Sequence, residues 1–206
     1  ATYYTAPAAA QVAILEELTC RPRPPRLALR FAETSGAPLT AATQRRLAEQ
    51  LRVPVIIGYG ITETGSIAQT PLPPIETPAG SVGLPTRMEL RIRDDLGRDV
   101  GPRQVGEIQV RGAEVFDGYE GDARANAAAF IDGWFRTGDL GWLDERGFLF
   151  IAGRLKEVIN RGGEKIVPSE VENVLAGHPA VAQAVAFALP HATLGEDLAA
   201  AVVARS

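Results

Sequence analysis

Residues 53–66 read VPVIIGYGITETGS, a short apolar run that leads directly into a polar segment containing three glycines. A continuous apolar run of this length is typical of a strand buried on both faces of a parallel sheet. The polar segment from Gly58 to Ser66 is predicted to form a loop at the end of that strand. Open α/β sheets bind their ligands outside the carboxyl ends of the strands. This loop is therefore the first candidate for a ligand site.

The residues before this segment alternate between helical and extended patterns. Residues 8–18 have the composition of a helix, and the alternating apolar residues over 27–31 predict a strand. Thr40 is positioned to cap a helix that runs to about Leu51. Together with the strand described above, these elements predict an α/β unit over residues 1–80.

The pattern changes to antiparallel β-structure over residues 81–154. Apolar and charged residues alternate over 88–93, and the sequence DDLG at 94–97 predicts a turn before the next strand. The segment GWLDERGFLFIAG predicts a β-hairpin that turns at residues 145–147. These strands are predicted to form a small β-barrel or a curled sheet.

The remaining residues, 155–206, predict the start of a small α+β domain. Ser169 and Glu172 have the spacing of a capping box at the beginning of a helix. Two alternating runs, 181–189 and 198–204, predict strands after that helix. The expected fold is therefore α/β followed by β, with the beginning of a second, α+β domain.

Composition excludes several classes of protein. The chain has 206 residues, of which 46% are hydrophobic and 22% charged, which is typical of globular domains. The net charge of −4 provides no basic surface for nucleic acid. No apolar run approaches the ~18 residues of a membrane span, and the first residues lack the charged start of a signal peptide. Cys20 is the single cysteine, so we expect no internal disulfide and a cytoplasmic location.

Four short motifs occur along the chain in a fixed order. They are SGAPL at 35–39, GYGITE at 58–63, RTGDL at 136–140 and GRLKEVINRGGEKIVPSEVE at 153–172. A fifth segment, GEIQVRGAEVFDGY at 106–119, lies between the second and the third. With this order and spacing, the chain resembles the adenylate-forming superfamily of acyl-CoA synthetases, luciferases and peptide-synthetase adenylation domains. It is most similar to the oxalate–CoA and 4-coumarate–CoA ligase branch.

The resemblance implies a ligase reaction in two steps. A small carboxylic acid attacks the α-phosphate of ATP to give an acyl-adenylate and pyrophosphate, and the thiol of CoA then attacks the acyl group. Negative charge on the reacting phosphorus requires Mg²⁺ and preorganised hydrogen-bond donors. We expect the ligands ATP or AMP, Mg²⁺ and CoA, and no nucleic acid partner.

The resemblance assigns the nucleotide to residues of all four motifs. Tyr59 would stack on adenine with Gly60 beside it, although an ordinary loop tyrosine is the alternative. Asp139 would accept both ribose hydroxyls, or else bond the backbone of its own turn. Arg154 would support the ribose. The remaining three expected nucleotide contacts would form a backbone shelf beside adenine and the acyl group, unless they are plain turn residues: Ser35, Gly36 and Ala37.

The resemblance assigns the catalytic steps to a second group of residues. Thr62 would contact phosphate and Glu63 would bind Mg²⁺, with a helix-capping pair as the alternative. Lys156 would be the hinge about which the small domain rotates, or a solvated lysine at a strand end. Gly162 and Gly163 would approach the pantetheine arm of CoA, or form a tight turn.

We also expect this chain to hold only part of the ligase site. In the family, a glycine-rich phosphate loop lies before residue 1, and a catalytic lysine lies beyond Ser206. The isolated segment is therefore expected to have no ligase turnover, and its exposed sheet edges are expected to promote association. Two alternatives remain, an adenylation domain that loads a carrier protein and a non-catalytic nucleotide-binding protein.

Overall fold

The structure, a computed structural model, describes residues 2–20, 28–36, 39–73 and 75–205. These residues form four helices and three β-sheets. In the described segments, no helix combines the length and apolar character needed to cross a bilayer.

The first sheet contains five strands in the order β1-β2-β3-β4-β5. The first three strands are parallel, and the last two join antiparallel to their neighbours. Two helices precede β2 and β3. The elements are β1 (Tyr3–Pro7), α1 (Ala8–Cys20), β2 (Phe31–Ser35), α2 (Ala41–Leu51), β3 (Val55–Ile61), β4 (Gly65–Gln69) and β5 (Leu84–Pro85).

The helices of this unit agree with the sequence-based expectations, and α2 begins as predicted. The Thr40 side chain accepts a hydrogen bond from the Thr43 backbone N–H, which satisfies one of the free donors at the helix start. The strand expected over 27–31 was placed too early, because the strand begins at Phe31. Leu27 lies outside the described residues.

The loop predicted after β3 was wrong. Strand β3 continues to Ile61, turns over three residues and returns as β4, so the segment is a β-hairpin. Gly60 makes this close return possible. A Cβ atom at Gly60 would lie 1.9 Å from the Gly65 carbonyl oxygen, so only glycine fits there without a backbone shift.

The second sheet is antiparallel, with the order β10-β9-β7-β6 and a short strand β8 beside β9. Its predicted turns are confirmed. Gly97 donates to the Asp94 carbonyl, and Gly147 adopts a φ of 81° in the turn between β9 and β10. The elements are β6 (Glu89–Arg93), β7 (Gly106–Arg111), α3 (Ala123–Ala129), β8 (Phe130–Ile131), β9 (Trp134–Leu143) and β10 (Leu149–Arg154).

The third sheet has the order β12-β11-β14-β13 and packs beside α4. A 3₁₀ turn, Leu155–Glu157, leads into it from β10. The α+β character expected here is confirmed. The elements are β11 (Ile159–Arg161), β12 (Glu164–Ile166), α4 (Pro168–Ala176), β13 (Val181–His191) and β14 (Gly195–Ala204).

The capping box predicted for α4 was wrong. The helix starts at Pro168, so Ser169 lies inside its first turn and cannot be the cap. The Ser169 hydroxyl donates to the Ala152 carbonyl on β10, and the Glu172 carboxylate accepts from the Ala186 backbone N–H on β13. Both side chains therefore fasten the helix to neighbouring strands.

The described residues form two hydrophobic cores, one beside the first sheet and one between the first and second sheets. The first core lies between α1, α2 and the strands β2 and β3. The second joins β4 to the antiparallel strands. Its buried members are Ile67, Ala68, Met88, Ile92, Ile108, Val110, Phe135 and Leu149.

Candidate nucleotide-binding cleft

A cleft of about 1180 Å³ opens where the first and second sheets meet. It lies at the carboxyl ends of β2 and β3, opposite the middle of β9 and the end of β10. Most of the residues selected from the sequence line it. They are Ser35, Gly36, Tyr59, Gly60, Thr62, Glu63, Asp139, Arg154 and Lys156. Ala37 lies outside the described residues.

Asp139 is the centre of a hydrogen-bonded cluster in this cleft. Its Oδ2 accepts a hydrogen bond of 2.7 Å from the Tyr59 hydroxyl, and its Oδ1 lies 3.1 Å from Arg154 Nε. Asp139 is 4% exposed, so these partners take the place of water around its carboxylate. Tyr59 and Arg154 both lie on other strands, which argues against a turn aspartate bonded to its own backbone.

The Tyr59 hydroxyl is held in its protonated form. Burial is the main cause that raises the pKa of Tyr59, and the hydrogen bond to the Asp139 carboxylate adds to it. A neutral phenol can donate to the carboxylate while the ring remains part of the cleft wall. Each carboxylate oxygen accepts more than one hydrogen bond, so Asp139 retains acceptor capacity for a ligand.

Thr62 and Glu63 lie in the turn between β3 and β4. A strand follows them, so the alternative of a helix-capping pair was wrong. Glu63 Oε1 accepts a hydrogen bond of 3.0 Å from the Tyr119 hydroxyl, and its backbone carbonyl accepts from the Phe116 N–H. The Glu63 carboxylate is thus oriented from the far side of the cleft.

The β3–β4 turn offers a single carboxylate to a metal ion. This suits Mg²⁺ better than a metal whose ligands all come from protein side chains. Across the part of the chain that the structure describes, no three His, Cys, Asp or Glu side chains form a metal-binding group. Mg²⁺ is usually bound by one or two carboxylates and takes its other ligands from water and phosphate. A single carboxylate such as that of Glu63 satisfies this requirement.

Lys156 lies in the 3₁₀ turn that connects β10 to the third sheet, and it lines the cleft. Gly162 and Gly163 are not among the cleft residues. They form the tight turn between β11 and β12, with φ angles of 62° and 96°. The Asn160 side chain accepts a hydrogen bond from the Gly163 N–H and closes this turn.

Comparison with known families decides where this chain belongs. The family model described as "AMP-binding enzyme" matches residues 1–120, and the model "AMP-binding enzyme C-terminal domain" matches residues 170–206. The chain belongs to the AMP-binding enzyme family. This confirms the resemblance found in the motifs.

Curated members of the AMP-binding enzyme family are similar along the whole chain. A probable CoA ligase, CCL9, of Humulus lupulus is 44% identical over 207 residues, and an oxalate–CoA ligase of Arabidopsis thaliana is 42% identical over 208 residues. Each alignment covers 100% of this chain. The chain spans 39% and 40% of the length of these relatives, respectively. The expected similarity to oxalate–CoA ligases is confirmed.

Solved structures of AMP-binding enzymes share the fold. ATP-bound MatB from Rhodopseudomonas palustris superposes with a TM-score of 0.87 at 30% identity, over 100% of this chain and 41% of that one. O-succinylbenzoate CoA synthetase from Bacillus subtilis, in complex with ATP and magnesium ion, gives a TM-score of 0.81 at 35% identity. That match covers 98% of this chain and 42% of the other.

The structure also adds cleft residues that the sequence reasoning missed. Tyr119 belongs to the GEIQVRGAEVFDGY segment, and its aromatic hydroxyl was the available signal. Glu107 and Arg136 belong to two of the quoted segments and form an ion pair of 2.8 Å in the cleft. Glu33 carries no motif signal, because a single carboxylate on a predicted strand is ordinary.

Proposed function

We propose that this chain carries the adenosine and metal side of an ATP-dependent acid–CoA ligase. The observation that carries the proposal is the Tyr59–Asp139–Arg154 cluster, which shares one cleft with the Glu63 carboxylate. A nucleotide needs a flat surface, a ribose acceptor and a metal ligand close together. The relatives are named as CoA ligases, which supports CoA as the acceptor of the acyl group.

In the proposed first step, a carboxylate oxygen of the acid attacks the α-phosphorus of ATP. The bond to the β-phosphate oxygen breaks, and pyrophosphate leaves with the electron pair. Tyr59 supports the adenine ring, and the free lone pairs of Asp139 accept the ribose hydroxyls beside Arg154. Ser35, Gly36 and Ala37 are proposed as the backbone shelf for adenine and the acyl group, with Gly60 beside the ring.

Glu63 and Thr62 are proposed to act at the phosphates. The Glu63 oxygen that faces away from Tyr119 would hold Mg²⁺, and the Thr62 hydroxyl would donate to a phosphate oxygen. Mg²⁺ supplies charge stabilisation at the phosphoryl oxygens when it is bound. The role of the Tyr119 hydroxyl is to restrict the orientation of the Glu63 carboxylate before the nucleotide arrives.

In the proposed second step, the CoA thiolate attacks the acyl carbon, a thioester forms and AMP leaves. Residues 155–206 would turn about Lys156 to bring the Gly162–Gly163 turn toward the pantetheine arm. The whole-chain superposition on ATP-bound MatB supports assigning the present arrangement to the first step. In this proposal residues 155–206 are the mobile domain. The large domain consists of an α/β unit, residues 1–80, and a β unit, residues 81–154.

Two further proposals concern the cellular location of the protein and its self-association. The single, exposed Cys20 is compatible with a reducing cytoplasm. Among the described strands, β1 is the outer strand of its sheet, and its unpaired edge is proposed as a site of self-association. Size-exclusion chromatography over a range of protein concentrations tests the second proposal.

The proposed function is tested with protein expressed from the complete gene. We expect acid-dependent exchange of labelled pyrophosphate into ATP, and thioester formation when CoA is added. Glu63→Gln should lower the exchange rate by about 10²-fold, in the range of losing one electrostatic stabiliser. Glu145→Gln removes the same charge from an exposed turn and serves as the control. Absence of exchange with every acid of a broad panel would refute the proposal.

A further inference from the structure

Two carboxylates in the cleft have no role in the proposed steps; Glu107 is paired with Arg136, which leaves Glu33 to be explained. Glu33 lies on β2, between Ala32 and Thr34, which are both buried against the helical side. Successive side chains of a strand point to opposite faces, so Glu33 points to the side that the helices leave uncovered. There it lines the cleft together with Ser35 and Gly58.

The Glu33 carboxylate stands over the backbone of the neighbouring strand. In the parallel register, Ser35 on β2 is paired with Gly58 on β3. A Cβ atom at Gly58 would lie 3.3 Å from Glu33 Oε1. Because Gly58 has no side chain, the Glu33 carboxylate can lie over its backbone in this part of the cleft. Gly58 directly precedes Tyr59 on β3, whereas Glu63 follows the strand in the β3–β4 turn.

The carboxylate is held in place by neutral groups. Glu33 Oε1 accepts a hydrogen bond of 2.8 Å from Gln69 Nε2, and Oε2 accepts one of 2.9 Å from the Thr5 hydroxyl. Within the described parts of the chain, no lysine or arginine forms an ion pair with Glu33. Its negative charge is therefore fixed in position, and none of the described lysines and arginines pairs with it.

We propose that Glu33 selects the acid substrate by charge, favouring monocarboxylic acids whose far end is neutral or donates a hydrogen bond. The inference rests on the proposed function. The reacting carboxylate of the acid is directed to the phosphate end of the cleft, near Thr62 and Glu63. The rest of the acid extends over the backbone of Gly58, which has no side chain, toward Glu33.

A second negative charge on the acid is disfavoured at that end. Like charges brought together without a counter-ion oppose binding, and this is a common way of rejecting a wrong partner. A hydroxyl or an amine is favoured, since each carboxylate oxygen retains a lone pair beyond its present hydrogen bond. The inference separates this chain from its relatives named as oxalate–CoA and sulfoacetate–CoA ligases, whose acids carry two negative charges.

Matched pairs of acids test the proposal in protein expressed from the complete gene. Butanoate is compared with succinate, and benzoate with terephthalate, so that each pair differs by one carboxylate. We expect kcat/KM for the singly charged acid to exceed that for its partner by at least about tenfold. Equal values for the two members of each pair would overturn the proposal.

The substitution Glu33→Gln removes the charge and keeps the shape and one acceptor oxygen. We expect the preference within each pair to shrink at least about fivefold. If Glu33 only joins β1 to β4, the variant slows all acids alike and the ratio stays constant, which contradicts the proposal. Glu145→Gln, the same charge change on the distant β9–β10 turn, should leave the ratio unchanged.

Salt gives a second measurement that does not depend on a variant. In the unaltered protein, raising the NaCl concentration from 0.05 M to 0.5 M should narrow the preference, because salt screens charge repulsion. A preference based on size alone stays constant and overturns the proposal. Inactivity toward every acid is a separate outcome, which refutes the ligase function and this inference with it.

Discussion

Asp139 is the residue on which the cleft depends most, because one buried carboxylate holds donors from two other strands. We predict that Asp139→Asn raises the dissociation constant for AMP by about 10- to 100-fold, which corresponds to losing a hydrogen bond to a charged acceptor. The new amide cannot accept from both Tyr59 and Arg154, and it places a donor against one of them. Isothermal titration calorimetry measures the change.

The control for Asp139 is a surface carboxylate with a similar partner. Asp99 accepts from Arg93 Nε at 2.9 Å, and its side chain is 67% exposed. We expect Asp99→Asn to bind AMP as the original protein does, since exposed ion pairs contribute little. Equal AMP affinity in both variants would show that the Asp139 cluster does not bind the nucleotide.

Tyr59 predicts a pH dependence of stability. Its pKa is raised in the folded protein, so above pH of about 10 the unfolded chain loses this proton first. The folded state then binds more protons than the unfolded state, and the free energy of unfolding decreases as the pH rises. The decrease from this one group is at most about 1.4 kcal/mol per pH unit.

The variant Tyr59→Phe isolates this effect. Tyr4 and Tyr119 also have raised pKa values, but they are present in both proteins and cancel in the comparison. We expect the variant to be less stable at pH 8 and the difference to shrink between pH 10 and 11. Urea unfolding at each pH provides the measurement, and a constant difference would contradict the prediction.

At the scale of single elements, the β3–β4 hairpin shapes the cleft. We predict that Gly60→Ala lowers the free energy of unfolding by about 3 kcal/mol, at the upper end for overpacking, because the new Cβ meets a backbone carbonyl. Gly101 is the matched control, since a Cβ there meets nothing within 4 Å. Gly101→Ala should be neutral or stabilising by about 0.4–1 kcal/mol. Similar stability of both variants would contradict the prediction.

Local chemistry explains which elements the sequence could predict. Thr40 caps its helix because the capping bond lies within three residues, and the 94–97 turn likewise closes on itself. The Ser169 capping box failed because a carbonyl 17 residues away competes for the hydroxyl. Residues 58–66 were predicted to be a loop because glycine is typical of loops. Their glycines instead allow two strands to pair closely, and such pairing cannot be read from a single sequence.

The same limit applies to the site at the scale of the whole molecule. The motifs selected nine residues that line one cleft, but not how they meet. The Tyr59–Asp139 bond joins residues 80 positions apart on different sheets, and the orientation of Glu63 depends on Tyr119, 56 positions away. These contacts exist only after the two sheets pack, so sequence spacing could not reveal them.

The position of the third sheet relative to the second provides a prediction about the whole molecule. The Lys165 ammonium forms an ion pair with Asp95, in the turn after β6, and so links the third sheet to the second. If residues 155–206 turn about Lys156 between the two proposed steps, this link must break. We predict that holding it closed permits pyrophosphate exchange but lowers thioester formation at least about tenfold, because the rotation is needed only for the second step.

The link can be held by a short bismaleimide between cysteines placed at Asp95 and Lys165, in protein expressed from the complete gene. Cys20 is free and exposed, so it is first changed to serine, as is any further cysteine of that protein. Each single-cysteine variant treated with the same reagent is the control, because it carries the modification without the bridge. If the bridged protein makes thioester at the rate of these controls, residues 155–206 do not need to rotate, and the hinge role of Lys156 is wrong.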